Sequence, residues 1–474
     1  MSEVQTRRWF LQRSMAMTLG INGLSAFTSR SVLAETISDL LTPNLDTGFG
    51  PLVKDPNGII DLPQDFAYSI ISRVGQRMDD GFLVPGRPDG MAAFEGPDGL
   101  TLIVRNHENE HQWKETSPYG EDNALLSRIP KHLMYDSGYG KTPALGGTTT
   151  IVYDTRSQRK IDEFMSLAGT SRNCAGGPTP WGSWITCEET IETRDDKREI
   201  DHGYAFEVPA RVRDGEYGLV KPVPLRAMGR FNHEAVAVNP GSGIVYQTED
   251  RHDGLLYRFI PNVKGKLAEG GRLQALAIVG RDSADLRNWD STPTVRVNDL
   301  PLLVRWIDLD GIEAPDDDLR YRGFEKGCAR FARGEGMWFG DECVYFACTS
   351  GGEKQAGQIW KYTPAPADLE GTDREQTSPG FLQLLVEPND VSIVENADNI
   401  TVAPWGDLIV CEDGPGQQHL LRVTPHGRVS TFALNTVSES EFAGACFSPD
   451  GSTLFVNIQH TGLTLAITGP WPKV

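Results

Sequence analysis

No stretch of this 474-residue sequence stays apolar long enough to cross a bilayer as a helix. Cysteine is scarce and odd in number. The seven, Cys174, Cys187, Cys328, Cys343, Cys348, Cys411 and Cys446, are spread over a large chain, which excludes a small-domain disulfide framework. At least one of them is therefore unpaired or acts as a ligand. Positive charge is deficient too: 45 Lys and Arg face 65 Asp and Glu, for a net charge of −20. Such a surface repels nucleic acid and anionic lipid, and bound divalent cations would offset it. No Gly-x-Ser-x-Gly elbow and no Walker loop is present, so neither a serine nucleophile nor a P-loop is marked. Long helical patterns are few, and plentiful Gly (50) and Pro (30) divide the chain into many short elements joined by turns.

The N-terminus reads as a leader. "TRRWFLQ", Thr6 to Gln12, is a twin-arginine pattern, a moderately apolar stretch runs from Met15 to Phe27, and "SVLAE" offers a small-residue cleavage point after Ala34. Residues 1–34 are thus expected to be a signal peptide read by the twin-arginine translocase, and 35–474 a single catalytic domain in the periplasm or secreted. The leader carries four Arg against one Glu, so the remainder stands at −23. A monomer is the expectation.

Turn signals supply the fold. Six segments share one pattern, an apolar run, a Pro/Gly/Asp turn and a β-branched or aromatic run: "DGMAAFEGPDGLTLIVRNHE", "NCAGGPTPWGSWITCEE", "NHEAVAVNPGSGIVYQTED", "RGEGMWFGDECVYFACTSGG", "DNITVAPWGDLIVCEDG" and "AGACFSPDGSTLFVNIQH". Each reads as a β-hairpin turning at Gly99, Gly182, Gly243, Gly340, Gly406 or Gly451. Further strand-like runs, such as "TTTIVYD" and "QIWKYTP", fill the intervals. Six hairpins, most followed by another strand pair, predict an all-β six-bladed propeller with loop and short helical insertions, the alternative being a long sandwich. A helical stretch is expected near Asn123 to Ile129.

Hairpin geometry then gathers the chemistry. Residues before the first strand and after the second lie at one end of an antiparallel pair. The tripeptide Asn-His-Glu closes the first hairpin (Asn106, His107, Glu108) and opens the third (Asn232, His233, Glu234), so both copies reach the same face. Asp89, Cys174, Glu188 with Glu189, Glu249 with Asp250, Arg333 with Glu335, Asp398 with Asn399, Glu412 with Asp413, Glu441 and Gln459 fall at the same ends. So many carboxylates in one small volume raise one another's pKa unless cations are present. Oxygen donors favour Ca²⁺ or Mg²⁺, and a thiolate among them draws a transition metal. Cys174 lies in "RNCAGGPTP", where Gly and Pro leave little regular strand to pack in, and reads as a ligand, whereas Cys187 and Cys411 read as core residues. His107 and His233 are candidates to ligate or, the reading favoured here, to hold carboxylates by hydrogen bonds. Arg333 is the candidate fixed positive charge for an anionic substrate.

The motifs "RNHE", "RNCAGGPTPWGSWITCEE", "RFNHEA", "YQTEDR", "ARGEGMW", "NADNI" and "EFAGACFSPDGSTLFVNIQ" resemble the PhoX family of alkaline phosphatases, from about Gly86 to the C-terminus. The resemblance implies a twin-arginine-exported six-bladed propeller that hydrolyses phosphate monoesters with two ferric ions and up to three calcium ions. By matching motif it implies Cys174 as the thiolate on iron, Glu234 and Asp398 as further iron ligands, Glu188, Glu189 and Glu335 as calcium-site carboxylates, and Arg333 as the contact to phosphoryl oxygens. Asn106, His107, Glu108, His233, Glu249, Asp250, Glu412 and Asp413 remain possible ligands or supports for ligands. The chain lacks long insertions of the family's best-known members, which bears on substrate range. A calcium-dependent lactonase on the same architecture would need neither thiolate nor arginine, and a non-catalytic calcium-binding propeller is the third alternative.

Overall fold

The computed structural model describes residues 48–473 apart from 216, 217 and 291. The twin-arginine leader expected at residues 1–34 lies outside the described residues.

Six antiparallel strand sets follow one another along the chain. Blade 1 is Pro88–Glu95, Thr101–His107, Gly146–Asp154 and Arg159–Thr170. Blade 2 is Asn173–Pro178, Ser183–Glu188 and Ala205–Pro209. Blade 3 is His233–Val238, Val245–Glu249, Tyr257–Pro261 and Gly271–Ile278. Blade 4 is Gly334–Gly340, Cys343–Cys348, Gln358–Thr363 and Phe381–Val386. Blade 5 is Ala397–Val402, Leu408–Glu412, His419–Val423 and Val429–Asn435. Blade 6 is Phe442–Phe447, Thr453–Ile458, Leu463–Thr468 and, from the other end of the chain, Ala67–Arg73. That early strand pairs with Leu463–Thr468 and closes the ring. The first strands of the six sets pack side by side in cyclic order, blade 6 against blade 1 included. Strand Leu302–Asp308 bridges the outer strands of blades 3 and 4, so these two blades form one nine-stranded sheet.

Each blade has two apolar faces, and the core is accordingly divided among the six blade interfaces. One buried cluster lies between each neighbouring pair, from Val104, Leu167, Trp184 and Tyr204 between blades 1 and 2 round to Met91, Ile103, Phe455 and Ala466 between blades 6 and 1. Burying faces this way is what alternation in short strands dictates. Trp338 packs against three of these clusters and so lies on the axis, closing the channel.

Five of the six expected turn glycines have the positive φ that a tight turn requires: Gly99, Gly182, Gly243, Gly406 and Gly451. Gly340 does not. It ends its strand, paired with Cys343, and the turn is made by Asp341 and Glu342 at φ 51° and 57°. The expected helix near residues 123–129 is a single 3-10 turn, Leu126–Arg128. The α-helix among the described residues is Leu319–Glu325. All seven cysteines are free and buried.

Candidate metal centre and active site

The same irregularity recurs in every innermost strand. Near its start the register slips by one over a three-residue step, at Pro88/Met91, Asn173/Gly176, His233/Val236, Gly334/Met337, Ala397/Ile400 and Ala443/Cys446. Such a bulge turns one residue out of the pleat and re-aims its side chain. The residue entering each bulge is Asp89, Cys174, Glu234, Glu335, Asp398 and, in blade 6, Gly444. A six-fold backbone device thus delivers five ligand-type side chains to one point. Gly444 is required where it stands: its φ is +64°, and a Cβ there would lie 2.2 Å from the Asp89 carbonyl oxygen.

The bulges are pinned by neighbouring blades. Asn106 Nδ2 donates to the carbonyls of Cys174 (3.0 Å) and Ala175 (2.7 Å) while its Oδ1 accepts from Trp184 Nε1. The Cys174 thiol lies 3.4 Å from the His233 carbonyl. Thr248 Oγ1 donates to the Glu335 carbonyl at 2.7 Å and Thr349 Oγ1 to that of Ala397 at 2.8 Å. Asn399 Oδ1 accepts from the Gly444 N–H, and Asn457 Nδ2 donates to the Asp89 carbonyl, both at 2.7 Å. The hydrogen bonds run once round the ring, from each blade to the next, so the inner side chains are held by the whole propeller.

A second set of groups comes from the ends of the neighbouring strands, and here alternation divides each acidic pair. Glu189, Asp250 and Asp413 line a cavity of about 150 Å³ together with Glu108 and Gln459. Their predecessors do not line it, because successive side chains on a strand point to opposite faces. Glu188 accepts from His202 Nδ1 at 2.6 Å and from the N–H groups of Ser171, Gly203 and Tyr204. Glu249 accepts from Tyr257 Oη at 2.7 Å, and Glu412 from His419 Nδ1 at 2.8 Å. Glu188, expected as a calcium-site carboxylate, thus has both oxygens engaged by His202 and by backbone N–H groups and does not line the cavity. Both histidines of the Asn-His-Glu copies also turn away. His107 bonds the Gly86 carbonyl and Thr149 Oγ1, each at 2.9 Å, and His233 bonds the Gly229 carbonyl at 3.0 Å while stacking on Phe231.

The cavity is lined by nine carboxylates, Asp89, Glu108, Glu189, Glu234, Asp250, Glu335, Asp398, Asp413 and Glu441, against two guanidiniums, Arg172 and Arg333. Fully ionised, acids would exceed bases by seven. Burial first, then neighbouring carboxylates, pushes Asp89, Glu234, Glu335 and Glu441 well above the usual carboxylate range. Burial also raises Glu189 and Asp398, and burial with Asp398 nearby brings Asp413 to about 7. The Cys174 thiol is pushed up by burial and by Glu234 and Glu189. Three groups have ligand atoms mutually within 4.8 Å: Cys174, Glu189 and Glu234; Glu234, Glu335 and Asp398; Asp398, Asp413 and Glu441. Glu234 and Asp398 each belong to two of them, so the three sites form a chain with shared corners.

Arg333 is fixed by Asp250, which takes its Nε at 2.8 Å and Nη2 at 2.9 Å, and by Glu335 at 2.7 Å. Glu335 and Asp250 hold its pKa above the ordinary arginine range. Sequence reasoning missed its counterpart. Arg172 bonds Glu108 at 2.9 Å and Glu189 at 2.6 Å, and both arginines adopt a left-handed backbone, φ 47° and 52°, in the residue before an inner strand. That shared place before Asn173-Cys174 and before Gly334-Glu335 was the available signal. His202, bridging Glu188 and Asp136, was also missed, since it lies in no motif.

A larger cleft, about 660 Å³, lies beside Trp306 at the outer edge of blades 3 and 4. Its arginines are already paired, Arg258 with Glu375 at 2.6 Å, Arg305 with Asp282 at 2.7 Å and Arg272 with Asp308 at 3.5 Å, so it lacks the charge imbalance of the channel mouth.

Comparison with known proteins gives the family and the fold. The sequence profile of the family described as alkaline phosphatase PhoX matches residues 47–462. Among solved structures, the chain is similar to Pseudomonas fluorescens PhoX in complex with vanadate, described as a transition state analogue, at TM-score 0.62 and 17% identity, covering 87% of this chain and 96% of that one. It is more distantly similar to a gluconolactonase from Xanthomonas campestris, at TM-score 0.39 and 12% identity, over 89% and 98% of the two chains. No curated protein matches in the sequence search. With a match spanning nearly all of the described residues, the chain belongs to the PhoX family of alkaline phosphatases.

Proposed function

We propose that the protein hydrolyses phosphate monoesters at alkaline pH with a cluster of iron and calcium ions at the mouth of the propeller channel, after export by the twin-arginine route. The observation that carries this reading is the chain of three corner-sharing ligand groups beneath two preoriented guanidiniums. The donor set fits such ions. Nine carboxylates, eight of them buried or half-buried, with two cationic partners call for further positive charge. Cys174 makes the first group the natural seat for iron, and the oxygen-only groups suit calcium. When bound, these cations supply charge neutralisation at the phosphoryl oxygens and a more acidic water.

The chain's own groups do the positioning. Arg333 and Arg172 present planar N–H edges whose direction is set by their carboxylate partners, so little reorganisation is needed when a phosphate ester enters. Gln459 Nε2, from blade 6, joins Asp89 (2.8 Å) to Glu108 (3.0 Å) of blade 1, and Asn232 Nδ2, from blade 3, holds Glu189 of blade 2 at 3.1 Å, so each amide fixes carboxylates of a neighbouring blade. Trp338 and the small residues Gly90, Ala175, Ala235, Gly336 and Ala445 close the channel beneath, leaving the mouth as the approach.

The test is p-nitrophenyl phosphate hydrolysis at pH 9 by the folded protein, with calcium and then with a calcium chelator, alongside elemental analysis for iron. Calcium-dependent turnover by an iron-containing protein is expected. An iron-free protein, or one without turnover in calcium, overturns the reading.

A further inference from the structure

Blade 1 carries a third arginine at the place occupied by Arg172 and Arg333. Arg87 is the last residue before the inner strand Pro88–Glu95 and has the same left-handed backbone, φ 44°. For a non-glycine residue that conformation is disfavoured, yet it recurs before four inner strands, at Arg87, Arg172, Arg333 and Asn396, and in three of the four the residue so placed carries a guanidinium. The partners differ. Arg172 and Arg333 are each held by two carboxylates, whereas Arg87 has no ion pair among the described residues. Its guanidinium lies 3.6 Å from the Trp113 ring centroid.

That stacking has a consequence for hydrogen bonding. The aromatic ring covers one face of the guanidinium, and the N–H groups lie in its plane, so they stay available. The platform is anchored: Asn109 Nδ2 and the Gly86 N–H both donate to the carbonyl of Thr116, at the end of the turn that Trp113 begins. The backbone carbonyl of Arg87 accepts from the Glu108 N–H at 2.9 Å, and Asp89 and Glu108 line the cavity. Arg87 also acts electrostatically on His460, which follows the cavity residue Gln459. It therefore stands at the rim, outside the carboxylate cluster, with donors unspent.

We propose that Arg87, seated on Trp113, binds a second anionic group carried by the alcohol part of the substrate, so that phosphate esters with their own carboxylate or second phosphate are selected. The inference rests on the phosphatase reading above. Without such a cation the acid-rich mouth would disfavour a more anionic ester.

The matched pair 3-phosphoglycerate and glycerol 3-phosphate, differing in a carboxylate against a hydroxymethyl group, tests this with the metal-loaded full chain. The wild-type protein is expected to show the higher kcat/KM for 3-phosphoglycerate; a preference for glycerol 3-phosphate overturns the proposal without any variant. Arg87→Met keeps the Cβ and the apolar contact with Trp113. It should lower kcat/KM for 3-phosphoglycerate about fivefold to tenfold, through KM, and change glycerol 3-phosphate less than twofold. Arg87→Lys should restore most of the loss. Parallel losses on both esters, or no loss on either, overturn the assignment while leaving the phosphatase intact. Turnover of neither ester by folded wild-type protein overturns the phosphatase reading and this inference with it.

Discussion

The two Asn-His-Glu copies put identical residues at one face of the molecule and use them differently. Asn106–Glu108 closes the second strand of blade 1, and Asn232–Glu234 opens the first strand of blade 3. Glu108 reaches the cavity from a strand end, where Arg172 and Gln459 hold it. Glu234 reaches it from a bulge and belongs to two of the three ligand groups. Asn106 pins the bulge that presents Cys174, while Asn232 holds the carboxylate of Glu189. Residue type selects the chemistry available, and position in the hairpin decides which part of it is used.

The largest effect expected follows from that contrast. Glu234→Gln removes a charge shared by two ligand groups and should lower phosphatase kcat/KM about 10³-fold, with loss of bound metal. Glu108→Gln leaves all three groups intact and should cost about tenfold. Kinetics with metal analysis on both variants checks this; equal losses would break the distinction between bulge and strand-end positions.

The same rule predicts that the last residue of each second strand serves its own blade. Glu188 is the test, through His202. Burial alone would lower the His202 pKa, but Glu188 and Asp136, at 2.6 and 3.0 Å, outweigh it and bring it to about 9. Because the folded pKa lies above the unfolded value of about 6.5, the stabilisation is complete below that pH and is lost as pH rises through about 9. It amounts to roughly 3 kcal/mol. Urea unfolding at pH 6.5 and pH 9.5 should show wild type losing about that much more stability than His202→Gln. Equal slopes would show that the Glu188–His202–Asp136 row is not a buried charged network.

Much of this was legible in the sequence. Turn residues flanked by alternating apolar positions marked all six inner hairpins, and antiparallel geometry was enough to gather their ends at one face. The bulges were not legible, because a one-residue slip leaves no mark in the hydrophobic pattern. They decide that Asp89, Cys174, Glu234, Glu335 and Asp398 enter the cavity. Nor was the division of Glu188 from Glu189, since two adjacent acids look alike until the strand's end fixes which faces inward. Gly340 misled for a related reason: glycine favours turns, yet the turn here is made by Asp341 and Glu342. His202 could not be seen because its partners lie 14 and 66 residues away.

The two arginines sharpen the comparison between blades. Arg333 touches Glu335, a bulge residue inside a ligand group, as well as Asp250; Arg172 touches no bulge residue, being held by the strand-end carboxylates Glu108 and Glu189 and, at 3.9 Å, by the loop residue Glu110. Arg333→Met should therefore lower kcat about 100-fold, the scale of losing one preorganised donor to developing charge. Arg172→Met should act more on KM, about tenfold on kcat/KM. If the two variants were kinetically alike, the guanidiniums would be equivalent clamps.

The smallest effects belong to the two histidines, and they return to the tripeptide. His107 is buried with both ring nitrogens bonded, so His107→Phe strands the Gly86 carbonyl and should cost about 2 kcal/mol in urea unfolding. His233 has one such bond, to Gly229, and its Nδ1 has no partner among the described residues. Burial lowers its pKa to about 4, so it is a neutral ring, stacked 3.7 Å from Phe231, which stacks in turn on Tyr257. Phenylalanine continues that stack and discards a buried nitrogen without a partner. His233→Phe strands the Gly229 carbonyl but keeps the stack and removes that unpartnered nitrogen, so it should cost less than His107→Phe, about 1 kcal/mol, and leave turnover near wild type. Loss of turnover at unchanged stability would instead show that Nδ1 takes part in the chemistry, and that the second copy of the tripeptide contributes its histidine as well as its glutamate.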